Sequence, residues 1–413
     1  MRVLMLFLVC SVSVCLCVAG SSGSNPPAWR YNITSPADAD TQALGEAIDL
    51  SGDWVVISGG SDTGYVTMFQ KIEGVWTYHS TLDTEHIPGY VGDMVAIDGD
   101  YVAVTAVTAV INMGAGTKNY MPAAVTELSQ VVMFHREGDE WVQVDSFEGP
   151  ANDVTSLAMG GGVMVIGCPT DTYQDTLDHG SVYVYRLDEA TGIEHEVTLS
   201  MYLDRWPGHK YGSNVAVSAN GKTIFFSGSD VSGHVIDVFQ YQEDGIWTFE
   251  DQVRMSCPSD SCNLSSSDDG TLVAMGCPSS NSHKTGAGKV QVFLKSSGFY
   301  TLVDTIQGST SIEDFGFGSS LGVTGDGNAL VIGASYTSNH SRLYSYNRDW
   351  RPDDAVGHFI CNGYTEGGED TYLGTSLTVD SNRYGYQALV GSPGVWDADY
   401  ANPVPGVVGL FDL

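Results

Sequence analysis

The stretch FGFGSSLGVTGDGNALVIGASY, residues 315–336, holds an apolar strand, a TGDGN turn and a second apolar strand ending in Gly-Ala-Ser. Versions of it recur along the whole chain. They open at LGEAIDLSGDWVVISGG (44–60), YVGDMVAIDGDYVAVTA (90–106), VTSLAMGGGVMVIGCP (154–169), YGSNVAVSANGKTIFFSGS (211–229), CNLSSSDDGTLVAMGCP (262–278) and YLGTSLTVDSNRYGYQALVGSP (372–393), giving seven with the quoted unit. After each copy comes a strand of the form G-x-V-x-V-F/Y, and often a further strand opened by Trp. Equivalent strand ends return about every 47 to 62 residues, too long for leucine-rich or ankyrin units and suited to four-stranded blades.

A four-stranded meander with two apolar faces cannot stand alone in water. Stacking such blades around an axis buries both faces and leaves only short edges. The expected fold is therefore all-β: a seven-bladed β-propeller of four-stranded antiparallel blades. The IDGD, SANGK, SDDGT and TGDGN turns supply Asp-Gly or Asn-Gly where a two-residue hairpin needs positive φ. The last copy ends at GVVGLFDL, one strand short. PPAWRYNITSP at 26–36 matches GVWTYHSTLDT at 74–84, with Trp29 standing where Trp76 stands. The N-terminal segment is expected to pair with 406–413 and close blade 7. Residues 21–413 then form one domain, preceded by a secretory signal peptide over 1–20, where Arg2 and an apolar run lead to small residues.

Fifty acidic against seventeen basic residues give a formal charge of −33. That balance repels nucleic acid and anionic lipid, so neither is an expected partner, and no direct membrane insertion is expected. Five cysteines follow the leader: Cys168, Cys257, Cys262, Cys277 and Cys361. Cys257 and Cys262 are close enough in CPSDSC for a loop bridge, while Cys262 and Cys277 are placed to meet across a hairpin. The first pairing is the expectation, because a two-residue turn puts the second at a hydrogen-bonded site. The sequons at Asn32, Asn263 and Asn339 agree with export.

The Phe-Gly opening and Gly-Ala-Ser end of the quoted unit resemble the FG-GAP repeat of integrin α-chain propellers and of related secreted proteins. GCP at Cys168 and Cys277 and GSP at Ser392 match the Gly-Ala-Pro position with small changes. Integrin-like blades often carry a D-x-D-x-D-G calcium loop between their first two strands. The corresponding turns here lack three alternating carboxylates, so no metal or cofactor is expected. The adhesive members of the family bind through the face carrying the long loops, which the resemblance extends to this chain.

Strand parity puts the loops between second and third strands, and the linkers between blades, on one face. There they are long and varied, with residues 105–128 the longest, and such loops on a rigid scaffold are where binding is usually placed. Tyr173, Asp178, His179, Trp206, Tyr336, Trp396 and Tyr400 are the candidate contacts, since aromatic rings beside polar groups suit a sugar or a protein hot spot. Trp76, Trp141 and Trp247 open outer strands and read as structural.

No catalytic residue stands out. GSSLG around Ser320 fits G-x-S-x-G but falls in a blade's first strand rather than a strand-to-helix turn. His195 lacks the i, i+4 partner of a zinc helix. The expectation is a secreted or cell-surface, non-catalytic binding or adhesion protein holding an extracellular protein or glycan. The alternative is an extracellular polysaccharide hydrolase or lyase with paired carboxylates at the axis.

Overall fold

The computed structural model describes residues 14–16, 27–34, 44–60, 63–112, 124–149, 154–172, 178–188, 192–200, 208–230, 233–255, 257, 262–278, 287–308, 316–335, 341–349, 357–366, 373–382, 385–392 and 406–413. These residues form strands and turns and no helix. Blade 1 is typical: Ile48–Ser51, Trp54–Gly59, Tyr65–Ile72 and Val75–Thr81 pair in chain order as an antiparallel meander, here called strands A to D. Seven such sheets occur, blade 5 carrying Val14–Leu16 as an additional outermost strand parallel to its strand D. Each strand A packs against the next, and that of blade 7 (Leu377–Asn382) packs against Ile48–Ser51, so the ring is closed.

The apolar pattern follows from this stacking. All six residues of Trp54–Gly59 are buried. Trp54 and Val56 enter the core shared with blade 2, whereas Val55 and Ile57 enter the core shared with blade 7. Alternation sends successive side chains to opposite faces, and here both faces are dry. Seven clusters result, one at each junction between neighbouring blades. Each large side chain in them contributes about 1.5–3 kcal/mol by burial.

Glycines set how closely the blades approach. A Cβ on Gly167, Gly276, Gly333 or Gly391, at the end of strand B, would lie 2.0–2.6 Å from the carbonyl oxygen of Gly212, Gly318, Gly374 or Gly45, the glycine leading into strand A of the next blade. Side chains at the start of strand A tie each of these blades to the same glycine of the next. Ser156 Oγ donates to Gly212 O at 2.8 Å, Asn263 Nδ2 to Gly318 O at 3.3 Å, Ser320 Oγ to Gly374 O at 2.6 Å and Ser376 Oγ to Gly45 O at 2.7 Å. Ser320 is thus a buried strut rather than a nucleophile.

Outer strands are tied in the same spirit. Every strand D carries one bulge against its strand C at the same place, with His79, Val144, Glu196, Glu250, Val303, Asn362 and Arg30 as the extra residues. A bulge at this position bends and twists the outer edge. Near it, backbone N–H groups reach back to the preceding blade. Trp76 N donates to Tyr31 Oη at 3.0 Å, Tyr300 N to Asp251 Oδ2 at 2.7 Å and Phe359 N to Asp304 Oδ2 at 2.8 Å.

Ala28–Ile33 pairs antiparallel with Val407–Asp412 and completes blade 7. The expected match of Trp29 with Trp76 is two residues out of register. Relative to the bulge, Trp29 pairs with Phe411 as Tyr78 pairs with Phe69, and it is exposed. Pro27 holds the position of Trp76, and Thr365 Oγ1 of blade 6 donates to its carbonyl at 2.6 Å.

Two other expectations change. IDGD is a two-residue hairpin, Asp98 pairing with Tyr101. SANGK, SDDGT and TGDGN instead span four residues, closed by Ser218 N to Thr223 O, Ser267 N to Leu272 O and Thr324 N to Ala329 O. Positive φ falls on Gly221, Gly270 and Gly327 in those turns. The segment 105–128 is no simple loop either: strands B and C of blade 2 run on as a ladder until Asn112 pairs with Ala124.

Candidate functional site

The candidate site is built where strand A begins, on the face opposite the A–B turns. Gly45 and Gly92 have positive φ (96° and 98°) and lead into strand A of blades 1 and 2. The next residue projects at the junction of the two blades. It is a carboxylate in both, Glu46 and Asp93, whereas Ser213, Ser319 and Thr375 follow Gly212, Gly318 and Gly374. Glu46 is half-buried, its backbone held by Gly45 N and Glu46 N donating to Ser58 O at 2.8 and 3.3 Å. Asp93 is exposed.

Tyr90, two residues before Gly92, hydrogen-bonds through its hydroxyl to the Glu46 carboxyl and also lies 3.1 Å from Gly60 O. Burial pushes the Glu46 carboxyl above its ordinary range, and the Asp93 charge adds to this against the opposing Tyr90 bond. The Tyr90 phenol is raised too, first by burial and then by Glu46. One hydroxyl hydrogen serves two acceptors, which defines two states. With Glu46 ionised, Tyr90 donates to it; with Glu46 protonated, Glu46 donates to Tyr90 Oη and Tyr90 donates to Gly60 O. The group can therefore take up and return a proton with its partner already in place.

Of the residues singled out from sequence, Asp178 and His179 are among the described ones. Tyr173, Trp206, Tyr336, Trp396 and Tyr400 fall outside the described residues, as does the sequon Asn339. Asp178 is exposed with φ 50°. His179 is buried, its Nδ1 3.0 Å from Ser200 Oγ and its ring 5.8 Å from that of His209, which meets Tyr211 Oη at 3.2 Å. That cluster packs the junction of blades 3 and 4 and offers no surface contact. His195 sits on an outer strand with Nε2 3.0 Å from Thr198 Oγ1.

Asn32 is exposed, but Asn263 spends its amide nitrogen on Gly318 O and Ser319 O, leaving no place for a glycan in the folded blade. The expected Cys257–Cys262 bridge is replaced by Cys257–Cys277. Cys277 ends strand B of blade 5, and the crossing from blade 4 delivers Cys257 to it. Cys361 is disulfide-bonded as well. Glu46, Asp93 and Tyr90 escaped notice because they lie 47 residues apart or less along a chain rich in acid residues. The signal was there: comparing the residue after the glycine across repeats singles out blades 1 and 2.

No family model and no curated protein matches this chain. Solved propellers do. Two crystal structures described as putative 6-phosphogluconolactonases, from Bacteroides uniformis ATCC 8492 and Bacteroides fragilis NCTC 9343, are 16% and 14% identical. They cover 82% and 86% of this chain and 89% of each of those chains, with TM-scores of 0.53 and 0.51. A protein from Lactobacillus plantarum is 15% identical over 79% of this chain and 85% of its own, with a TM-score of 0.52. Likeness at this identity establishes the seven-bladed architecture. It also overturns the step from repeat to non-catalytic adhesion protein, because closed rings of this architecture carry the names of lactone hydrolases.

Proposed function

We propose that the chain is a hydrolase of uncharged sugar lactones or sugar esters, with Glu46 as its general base. The observation that carries this is Glu46 itself, a carboxyl raised by burial and by Asp93, poised on Tyr90 at the face where propeller loops converge. Ionised Glu46 takes a proton from a water molecule that attacks the ester carbonyl carbon. When the acyl C–O bond breaks, protonated Glu46 returns the proton to the leaving alkoxide, and Tyr90 swings its hydrogen between Glu46 and Gly60 O in step. The net reaction consumes one water and gives the hydroxy acid from a lactone, or the acid and the free sugar hydroxyl from an ester. A phosphorylated substrate is disfavoured by the formal charge of −33 and by the two carboxylates at the site, so this reading departs from the phosphate ester in the neighbours' names.

Two companion proposals rest on other observations. The paired glycines between blades support kinship with FG-GAP repeats, whose two glycine positions they occupy. The Cys257–Cys277 bridge supports export to an oxidising compartment after loss of the leader.

The test is lactone opening followed in a pH-stat on gluconolactone and on acetylated sugars. Glu46→Gln should lower kcat by about 100-fold or more, the usual weight of a general base. The parent rate should rise with pH through a value above the ordinary carboxylate range, since only the ionised form accepts the proton. A parent rate equal to spontaneous hydrolysis on both substrate classes, or an unimpaired Glu46→Gln, would remove the proposal.

A further inference from the structure

Between blades 4 and 5 the chain brings three sulfurs and an imidazole together. His234 begins strand C of blade 4, Gly233–Tyr241; Cys257 follows strand D, Trp247–Met255; Cys262 directly precedes strand A of blade 5, Asn263–Ser266; Cys277 ends its strand B, Leu272–Cys277. All four are buried, the three cysteines within an apolar cluster that includes Ala216, Phe225, Ile236 and Met275. One ligand atom each from His234, Cys257 and Cys262 lie within 4.8 Å of one another. Cys257 Sγ is bonded to that of Cys277 and lies 3.6 Å from that of Cys262.

The disulfide joins Cys257 to Cys277, while His234 and Cys262 gather around Cys257, a spacing that suits a metal ion once the bridge is open and that Cys277, released from Cys257, can complete. Zinc–sulfur bonds of ~2.3 Å at tetrahedral angles place sulfurs about 3.8 Å apart, close to the Cys257–Cys262 spacing, and a Cys3His set is a recurrent closed zinc site. Three thiolates and a neutral imidazole around a divalent ion carry one net negative charge. Lys289, the partner of Cys277 across strands B and C of blade 5, carries a basic side chain.

We propose that, when the Cys257–Cys277 bridge is open, His234, Cys257, Cys262 and Cys277 hold one tetrahedral zinc ion or a like thiophilic cation, so that bridge and ion exclude each other. Opening takes two electrons from a thiol or phosphine reductant: the S–S bond breaks, each sulfur gains a proton and the reductant leaves oxidised. Binding then releases three thiol protons as three thiolates and the imidazole lone pair close around the ion. The site is independent of Glu46 and its chemistry.

The experiment uses the full chain, reduced without oxygen and checked for native tryptophan fluorescence, then exposed to zinc and desalted. About one zinc per reduced chain and none in the oxidised chain are expected, because the ligands must be free and deprotonated. Zinc should slow alkylation of Cys257, Cys262 and Cys277, read by peptide mass, at least about tenfold. Cobalt in its place should show the thiolate charge-transfer absorption, weakened in Cys262→Ser. A reduced, folded chain that retains no zinc overturns the proposal, as does equal alkylation with and without the metal or equal zinc in oxidised and reduced protein. The oxidised and reduced parent suffice should the variant misfold.

Discussion

Asp49 shows how one residue couples the ring to pH. It lies on strand A of blade 1, where its two oxygens accept from Leu50 N and Ile97 N at 2.9 Å, the second bond crossing to blade 2. Burial pushes its carboxyl up to about 7 despite those bonds. The folded chain therefore holds this proton more tightly than the unfolded chain, whose carboxyl titrates near the ordinary 3.8. Stability from this group is complete below the unfolded value and is lost as pH rises through about 7. Asp49→Asn should remove that slope, so the stability difference between parent and variant should drift against the parent, by a few kcal/mol at most, between pH 4 and 7. Melting curves of the two at several pH values measure it, and a parallel pH dependence would show that Asp49 titrates normally. The same physics raises Glu46, which is why one kind of carboxyl serves as a strut in one place and a proton carrier in another.

Strands and turns carry a second lesson, in the glycines that end strand B. Gly167 has ordinary backbone dihedrals, yet an added Cβ would meet the Gly212 carbonyl oxygen of blade 4 at 2.0 Å. The Gly212 backbone cannot yield as a flexible side chain would, and the Cβ would also meet Ser156 Oγ at 2.2 Å, so Gly167→Ala should cost about 2–3 kcal/mol, the upper part of the overpacking range. Gly52, in the A–B turn of blade 1, is the contrast: φ is +59° but nothing lies within 4 Å. Gly52→Ala should cost only about 1 kcal/mol of backbone strain. Thermal melts should rank the two in that order, and equal midpoints would show that the blades are free to part. The recurrent bulge in strand D acts at the same scale. It re-aims the outer edge so that Asp251 and Asp304 reach the backbone of the following blade.

At the scale of the whole molecule, the ring is held by a non-covalent clasp. Residues 27–34 bury Ile33, accept from Trp76 N through Tyr31 Oη, and pair Arg30 with Asp412. Removing 21–35 while keeping the leader would bare a strand edge and part of the core between blades 7 and 1. A melting point lowered by at least about 5 °C is expected on the usual size scaling. Trp29→Ala, at an exposed position, should change stability by no more than about 0.5 kcal/mol. A truncated chain that melts like the full one would reduce the clasp to an ornament.

The blade count and the strand order were legible in the sequence because strands are encoded within hairpins, by alternation of period two and by turn glycines, and the closing strand because the last repeat is one strand short and 26–36 matches an outer strand. The register of Trp29, the partner of Cys257, the meeting of Glu46 with Tyr90 and the gathering of His234 with three cysteines were not. These contacts join different strands or blades, and which side chains meet is set by how whole sheets stack, a choice made by glycine clearance, bulge position and the burial of seven shared cores. Local periodicity decides the strands; only the closed ring decides what faces what across them.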